Sequence, residues 1–205
     1  MNWGLRPVDY LQGDITNPMF TIEMETGTGK TYTYIKTMYE LNKLYGWNKF
    51  IIVVPSIAIR EGVQKSFETM QEHFATEYGK RIQFFVYNSK QLSKIDSFAS
   101  DSGLHVMIIN TQAFNSSMNE DKNQEGRSGD AAARIIFSRR DEFGSRRPID
   151  ILAQTNPIMI IAEPQSVLGA NKTNATRKGI AKFHPLFTLL YSATHRKDDV
   201  YNMVD

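Results

Sequence analysis

The stretch "EMETGTGKTY", residues 23–32, decides how this chain folds. It joins a short apolar run, "MFTIEM" at 19–24, to a stretch of helical periodicity that begins near residue 29. A loop that curls around phosphate needs glycines where the backbone turns sharply and N–H groups aimed inward. It also needs a lysine to reach the β- and γ-phosphates and a hydroxyl for Mg²⁺. Glu25, Thr26, Gly27, Thr28 and Gly29 supply the curl, Lys30 is the lysine and Thr31 the hydroxyl. Met24 stands where the general pattern has its first glycine, a departure from the strict form. Strand, loop and helix in that order are the setting the motif demands, and they favour a phosphate cradle over a Gly-rich turn that merely caps a helix.

Outward from this stretch the same alternation repeats. Apolar runs recur as "KFIIVVP" (49–55), "IQFFVY" (82–87), "HVMIIN" (105–110), "PIMIIA" (157–162) and "LFTLLYS" (186–192). Five or six consecutive apolar residues, rich in Ile, Val and Phe, suit strands buried on both faces, as in a parallel sheet covered by helices. Between them lie candidate helices at 29–44, where Ile35, Met38, Tyr39 and Leu41 recur at near-helical spacing, at 57–74, and around 172–183. Strand and helix in repetition predict a doubly wound α/β domain, mostly parallel, with helices on both faces and right-handed crossovers.

One segment breaks the pattern. Residues 115–130 are Asn-, Ser-, Glu- and Gly-rich and too poor in large apolar side chains to offset the entropy of ordering, so a mobile loop is expected there, followed by a short helix. Beyond it, Arg134, Arg139, Arg140, Arg146 and Arg147 form a basic stretch. A solvated face is the better reading of such a run than a nucleic-acid contact.

Composition limits the remaining possibilities. At 205 residues, 41% hydrophobic and 22% charged, the chain has the make-up of one globular domain, 1–205. A net charge of +2, from 24 basic and 22 acidic residues, means that affinity for nucleic acid must come from a local patch. The absence of cysteine excludes disulfides, zinc thiolates and cysteine nucleophiles, and agrees with a cytoplasmic setting. No apolar run approaches the roughly 18 residues of a membrane span, and the four histidines lack metal-ligand spacing.

Four segments in order carry a resemblance: "METGTGKT", "FIIVVPSIAIREGV", "IIAEPQSV" and "LLYSATH". Together they resemble the first, RecA-like motor domain of superfamily-two helicases and translocases. More closely, they are similar to the restriction subunit of type III restriction-modification enzymes, whose acidic motif reads Asp-Glu-Pro-Gln. The likeness runs from about residue 20 to 199. It implies ATP and Mg²⁺ as cofactors, Lys30 and Glu163 as catalytic residues, and Thr31 and Glu163 as candidate metal ligands. It also implies a DNA backbone contact at Pro55, Ser56 and Arg60, and a second at Thr111 and Gln112. For each of these, an ordinary strand-to-helix cap is the competing explanation. Gln165, with Ser192 and Thr194 of the Ser-Ala-Thr motif, would couple the nucleotide to the grip on DNA. Implied partners are double-stranded DNA, a modification (methyltransferase) subunit, and a second motor domain and a nuclease domain of the same parent chain, of which residues 1–205 would be the first motor part.

The acidic motif departs from the family. Its first carboxylate, the expected partner of Mg²⁺, is Ala162, and only Glu163, which orients or activates the attacking water, remains. Nucleotide binding draws mainly on backbone N–H groups and Lys30 and is expected to persist, whereas turnover is expected to suffer. An engineered substitution, a naturally degenerate motor, and a transfer of metal duty to Glu163 would each leave this sequence. One carboxylate cannot easily serve both metal and water, which favours the first two. A different class of function, a non-hydrolysing, nucleotide-responsive interaction module, rests on the same alanine. A small-molecule kinase shares the loop but leaves the later motifs unexplained.

Overall fold

The structure, a computed structural model, describes residues 18–115, 135–168 and 175–193. The predicted mobile loop at 115–130, Arg134, Thr194 and His195 lie outside these residues, apart from residue 115 itself.

Six apolar runs become six strands: β1 (Met19–Glu23), β2 (Lys49–Val54), β3 (Gln83–Val86), β4 (His105–Asn110), β5 (Ile158–Ala162) and β6 (Thr188–Ser192). They form one sheet in the order β1-β6-β5-β2-β4-β3, and every pairing is parallel. The helices are α1 (Lys30–Tyr45), α2 (Ile57–Tyr78), α3 (Ser93–Ser100), α4 (Gln112–Asn115), α5 (Pro148–Gln154), α6 (Pro164–Leu168) and α7 (Ala175–Ala181).

Side-chain alternation along each strand explains why the runs had to be apolar throughout. In β2, Phe50, Ile52 and Val54 face α1 and α2, packing with Tyr34, Met38, Val63, Phe67 and Phe74. Ile51 and Val53 face the opposite layer, with Phe98 of α3, Leu152 of α5, Leu168 of α6 and Ile180 of α7. Each such side chain taken from water contributes about 1.5–3 kcal/mol before chain entropy is set against it. From β1 to β3 the chain steps outward across the sheet, and from β4 to β6 it steps back. The outward crossovers therefore lie on one face and the return crossovers on the other, as the doubly wound expectation requires.

Helix boundaries follow local chemistry. Ser56 caps α2, its Oγ accepting from the Ile59 N–H at 3.3 Å, and Gly79, left-handed at φ 66°, closes it. Sequence periodicity had not picked out α3, α5 or α6. α3 offers only Ile95 and Phe98 to the core, and α5 begins on Pro148 directly after the stretch read as basic, where Pro at the first turn is favoured. Such short helices carry too few apolar repeats to stand out.

Candidate nucleotide site and strand-contact edge

Because every strand is parallel, the segments leaving the strands share one edge of the sheet, and such an edge is where open α/β sheets build their sites. The loop after β1 turns on Gly27 and Gly29, with φ 83° and 91°. These left-handed values are open to glycine and strained for other residues. A Cβ at Gly27 would meet no atom within 4 Å, so nothing among the described residues fills the space beside it. The Thr28 hydroxyl donates to the Glu25 carbonyl at 2.7 Å and fastens the curl. Gly29 caps α1 without any side-chain hydrogen bond, and the first turn holds no acidic residue. The first N–H groups of this 16-residue helix thus keep their positive dipole end open to an anion.

Lys30, the first residue of α1, folds back on this loop. Its ammonium donates to the carbonyls of Met24 at 3.3 Å and Glu25 at 3.4 Å, and lies 3.7 Å from Oε1 of Glu163. Glu163 follows β5, yet β6 stands between β5 and β1, so the ion pair reaches over an intervening strand. That strand contributes too. The Ser192 hydroxyl donates to Oε1 of Gln165 at 2.9 Å, and the Gln165 amide donates to Oε2 of Glu163 at 2.8 Å. The Ser192 carbonyl accepts from the Met24 N–H at 2.8 Å. Glu163 itself has φ 57°, an uncommon value for a residue other than glycine. Its backbone is held there by its N–H donating to the Tyr191 carbonyl at 3.2 Å, and by its carbonyl accepting from Ser166 and Val167. Residues held so firmly in a sparsely populated conformation gather at functional sites.

Under this constellation lies a pair that sequence reasoning missed. The rings of Tyr34 in α1 and Tyr191 in β6 meet edge to face at 5.6 Å, and the Tyr191 hydroxyl lies 3.2 Å from Thr37 Oγ1. Burial holds the Tyr34 phenol protonated well above its ordinary range, with the Thr31 hydroxyl beside it pulling the other way. Burial likewise pushes Tyr191 up. In the sequence Tyr191 is the single aromatic of β6 and Tyr34 one of four tyrosines in α1, and both read as core.

Further along the edge, Pro55 and Arg60 are half-buried, Gln112 is exposed as the first residue of α4, and Thr111 is only 7% exposed. Ser56 is occupied as the α2 cap, the competing explanation for that position. Lys30, Glu163, Gln165 and Ser192 are therefore brought together, and Thr31 follows Lys30 in the first turn of α1.

Comparison with known proteins bears on the same residues. Residues 14–194 match the family described as type III restriction enzyme, res subunit. The chain belongs to the type III Res subunit family. It is 32% identical over 190 residues to the Res subunit of the type III restriction-modification enzyme EcoP15I of Escherichia coli, a match covering 84% of this chain and 18% of that protein. It is 31% identical over 193 residues to the EcoPI Res subunit of Escherichia phage P1, covering 88% and 19%. Against the StyLTI Res subunit of Salmonella typhimurium it is 31% identical over 192 residues, covering 84% and 18%. The chain thus spans about a fifth of the length of these relatives.

As a Res-family domain it has a RecA-like fold, and the residues after β1 are of the kind a triphosphate needs: a curled loop with open space beside Gly27, an uncapped helix start and a lysine. For Mg²⁺ the donor set is lean. Among the described residues no three His, Asp or Glu side chains gather as a metal site. Mg²⁺ commonly takes one or two protein ligands and completes its shell with phosphate oxygens and water, so Thr31 with Glu163 suffices in kind, with the Ala162 position contributing nothing. No helix among the described residues is long and apolar enough to cross a membrane.

Proposed function

We propose that this domain binds ATP with Mg²⁺ at the loop from Glu25 to Thr31 and serves as the first motor domain of a type III Res subunit, coupling nucleotide hydrolysis to movement along double-stranded DNA ahead of cleavage. The observation that carries the reading is the approach of the Lys30 ammonium to the Glu163 carboxylate, 3.7 Å apart, across an intervening strand. A cation for phosphate and a base for water face one gap.

In this reading the N–H groups of Gly27 to Thr31 hold the phosphates and Lys30 leaves its loop carbonyls for the β- and γ-oxygens. Thr31 and Glu163 would hold Mg²⁺ with the nucleotide, and the ion would supply neutralisation of charge on those oxygens; Glu163 would then be shared between metal and water, which is why turnover is expected to suffer. Glu163, steadied by Gln165, accepts a hydrogen bond from the attacking water. Loss of the terminal phosphate changes what Glu163 contacts, and Gln165 passes that change to Ser192 and on toward Thr194. Pro55, Ser56, Arg60 and Gln112 line the edge where a DNA backbone would pass, while the low exposure of Thr111 gives it a supporting part. The parent Res subunit would supply a second motor domain and a nuclease domain, work with a modification subunit, and act in the cytoplasm.

Calorimetric titration with ATP and Mg²⁺ tests the site. Lys30→Ala is expected to weaken binding at least tenfold, about 1.4 kcal/mol. Equal affinity in the variant would refute the assignment. A second reading, a nucleotide-responsive module that no longer hydrolyses, is favoured by Ala162. Binding without turnover in a chain carrying the complete motor would select it.

A further inference from the structure

Beneath the loop, the Tyr34 side chain ends in a polar atom that the core leaves unused. Tyr34 is 2% exposed, and its hydroxyl has no hydrogen-bond partner among the described residues. A buried hydroxyl without a partner lowers stability relative to a phenylalanine of the same outline. The other tyrosine of the pair is not in this position. Tyr191, edge to face with Tyr34 at 5.6 Å, has its hydroxyl 3.2 Å from Thr37 Oγ1. One phenol is satisfied within the core and the other is not.

Helix geometry says what lies near the unsatisfied one. Tyr34 comes three residues after Thr31 in α1, and long side chains of a helix lean back over the turn that precedes them. The Tyr34 ring therefore reaches under the first turn, where the Thr31 hydroxyl is the polar group beside its oxygen. Other threonines of α1 spend their hydroxyls on the helix itself. Thr33 Oγ1 donates to the Gly29 carbonyl at 3.2 Å, and Thr37 Oγ1 to the Thr33 carbonyl at 2.9 Å. Among the described residues no backbone carbonyl takes the Thr31 hydroxyl in this way. It is free to turn.

A hydroxyl that gives a lone pair to Mg²⁺ must aim its proton elsewhere, and the ion makes that proton a stronger donor. Ala162, packed on the same core layer as Tyr34, offers only a methyl group, and Glu163 is engaged by Lys30 and Gln165. The Tyr34 oxygen is the acceptor that remains. We propose that Tyr34 is a positioning residue for the Mg²⁺ site, its phenol oxygen accepting the Thr31 proton and so turning the Thr31 oxygen towards the ion. The inference rests on the proposed binding of Mg²⁺ with nucleotide at Thr31. It also accounts for a hydroxyl that weakens the core: the partner it lacks is gained when the ion is held.

Calorimetric titration of this chain with ATP, once with Mg²⁺ and once with EDTA, tests the proposal, alongside melting curves without nucleotide. For Tyr34→Phe the affinity in EDTA is expected to match the parent's and the melting temperature to equal or exceed it. The gain in ATP affinity brought by Mg²⁺ is expected to shrink about five- to tenfold, the worth of one hydrogen bond. Tyr39→Phe removes a buried hydroxyl that has a partner, the Ile82 N–H at 3.3 Å, and is expected to melt lower and keep the full Mg²⁺ gain. In a Thr31→Ala background, Tyr34→Phe is expected to change the Mg²⁺ gain no further, which separates action through Thr31 from a general loosening of the core. An unchanged Mg²⁺ gain in Tyr34→Phe, or a loss that persists in the Thr31→Ala background, overturns this inference and leaves the nucleotide site standing. A parent protein that binds ATP equally with Mg²⁺ and with EDTA overturns it together with the metal role given to Thr31.

Discussion

Replacing Ala162 with Asp returns a carboxylate to the end of β5, and the structure indicates where it would act. Ala162 is half-buried, in register with Tyr191 and packed against the core layer shared with α1. Its side chain therefore projects to the face that carries Thr31. Without metal, the new carboxylate stands beside Glu163 with Lys30 as the counter-charge at hand, and Lys30 already serves Glu163 at 3.7 Å. The variant is expected to be less stable by about 1 kcal/mol, a fall of about 2–4 °C in melting temperature for a chain of this size. With Mg²⁺ and ATP the sign reverses. One well-placed interaction with charge developing in the transition state is worth about 3 kcal/mol, or a hundredfold in rate, and imperfect placement still leaves about tenfold, or 1.4 kcal/mol. Phosphate release should be measured for Ala162→Asp in a chain carrying the complete motor, with melting curves of both proteins with and without Mg²⁺ and nucleotide. Hydrolysis no faster than the parent's, together with no additional stabilisation by Mg²⁺, would refute the role given to this position.

Gly27→Ala separates backbone strain from site chemistry. A Cβ there meets nothing within 4 Å, so only the left-handed φ of 83° opposes it, costing about 1–2 kcal/mol. ATP affinity should fall further than that stability loss explains, because the methyl enters the space assigned to phosphate; intact affinity by titration would count against the cradle. Tyr87 tests the pH limit of the fold. Burial pushes its phenol up to about 12 against an ordinary 10.0, with Arg140 opposing. A folded-state value above the unfolded one gives stability that is present below about pH 10 and lost as pH rises towards 12, on the order of 3 kcal/mol. Its hydroxyl is buried without a hydrogen-bond partner among the described residues. Tyr87→Phe should therefore hold or raise the denaturation midpoint at neutral pH and reduce its fall between about pH 8 and pH 11. Parallel decline in both proteins would argue against it.

Much of this molecule was legible in one dimension because its determinants are local. Residues 24–31 announce a sharp turn into a helix by identity alone: glycine where φ must be positive, lysine and threonine at fixed offsets after it. Uninterrupted apolar runs such as "FIIVV" announce strands buried on both faces, since alternate side chains must serve two layers of helices. Short helices escaped notice because two apolar positions, as in α3, make no period.

What chain order left to the family resemblance and the fold was the partnership between segments on different strands. That Glu163 meets Lys30, and that Gln165 hands a hydrogen bond from Ser192 to Glu163, depends on β6 entering the sheet between β1 and β5. The backbone at Glu163 and the tyrosine pair beneath the loop are likewise products of packing. Sequence by itself determined which chemical groups are present and which runs are buried. Tertiary structure alone decided which of them face one another, because strand order is set by which buried faces match across the whole sheet, and no local stretch contains that information.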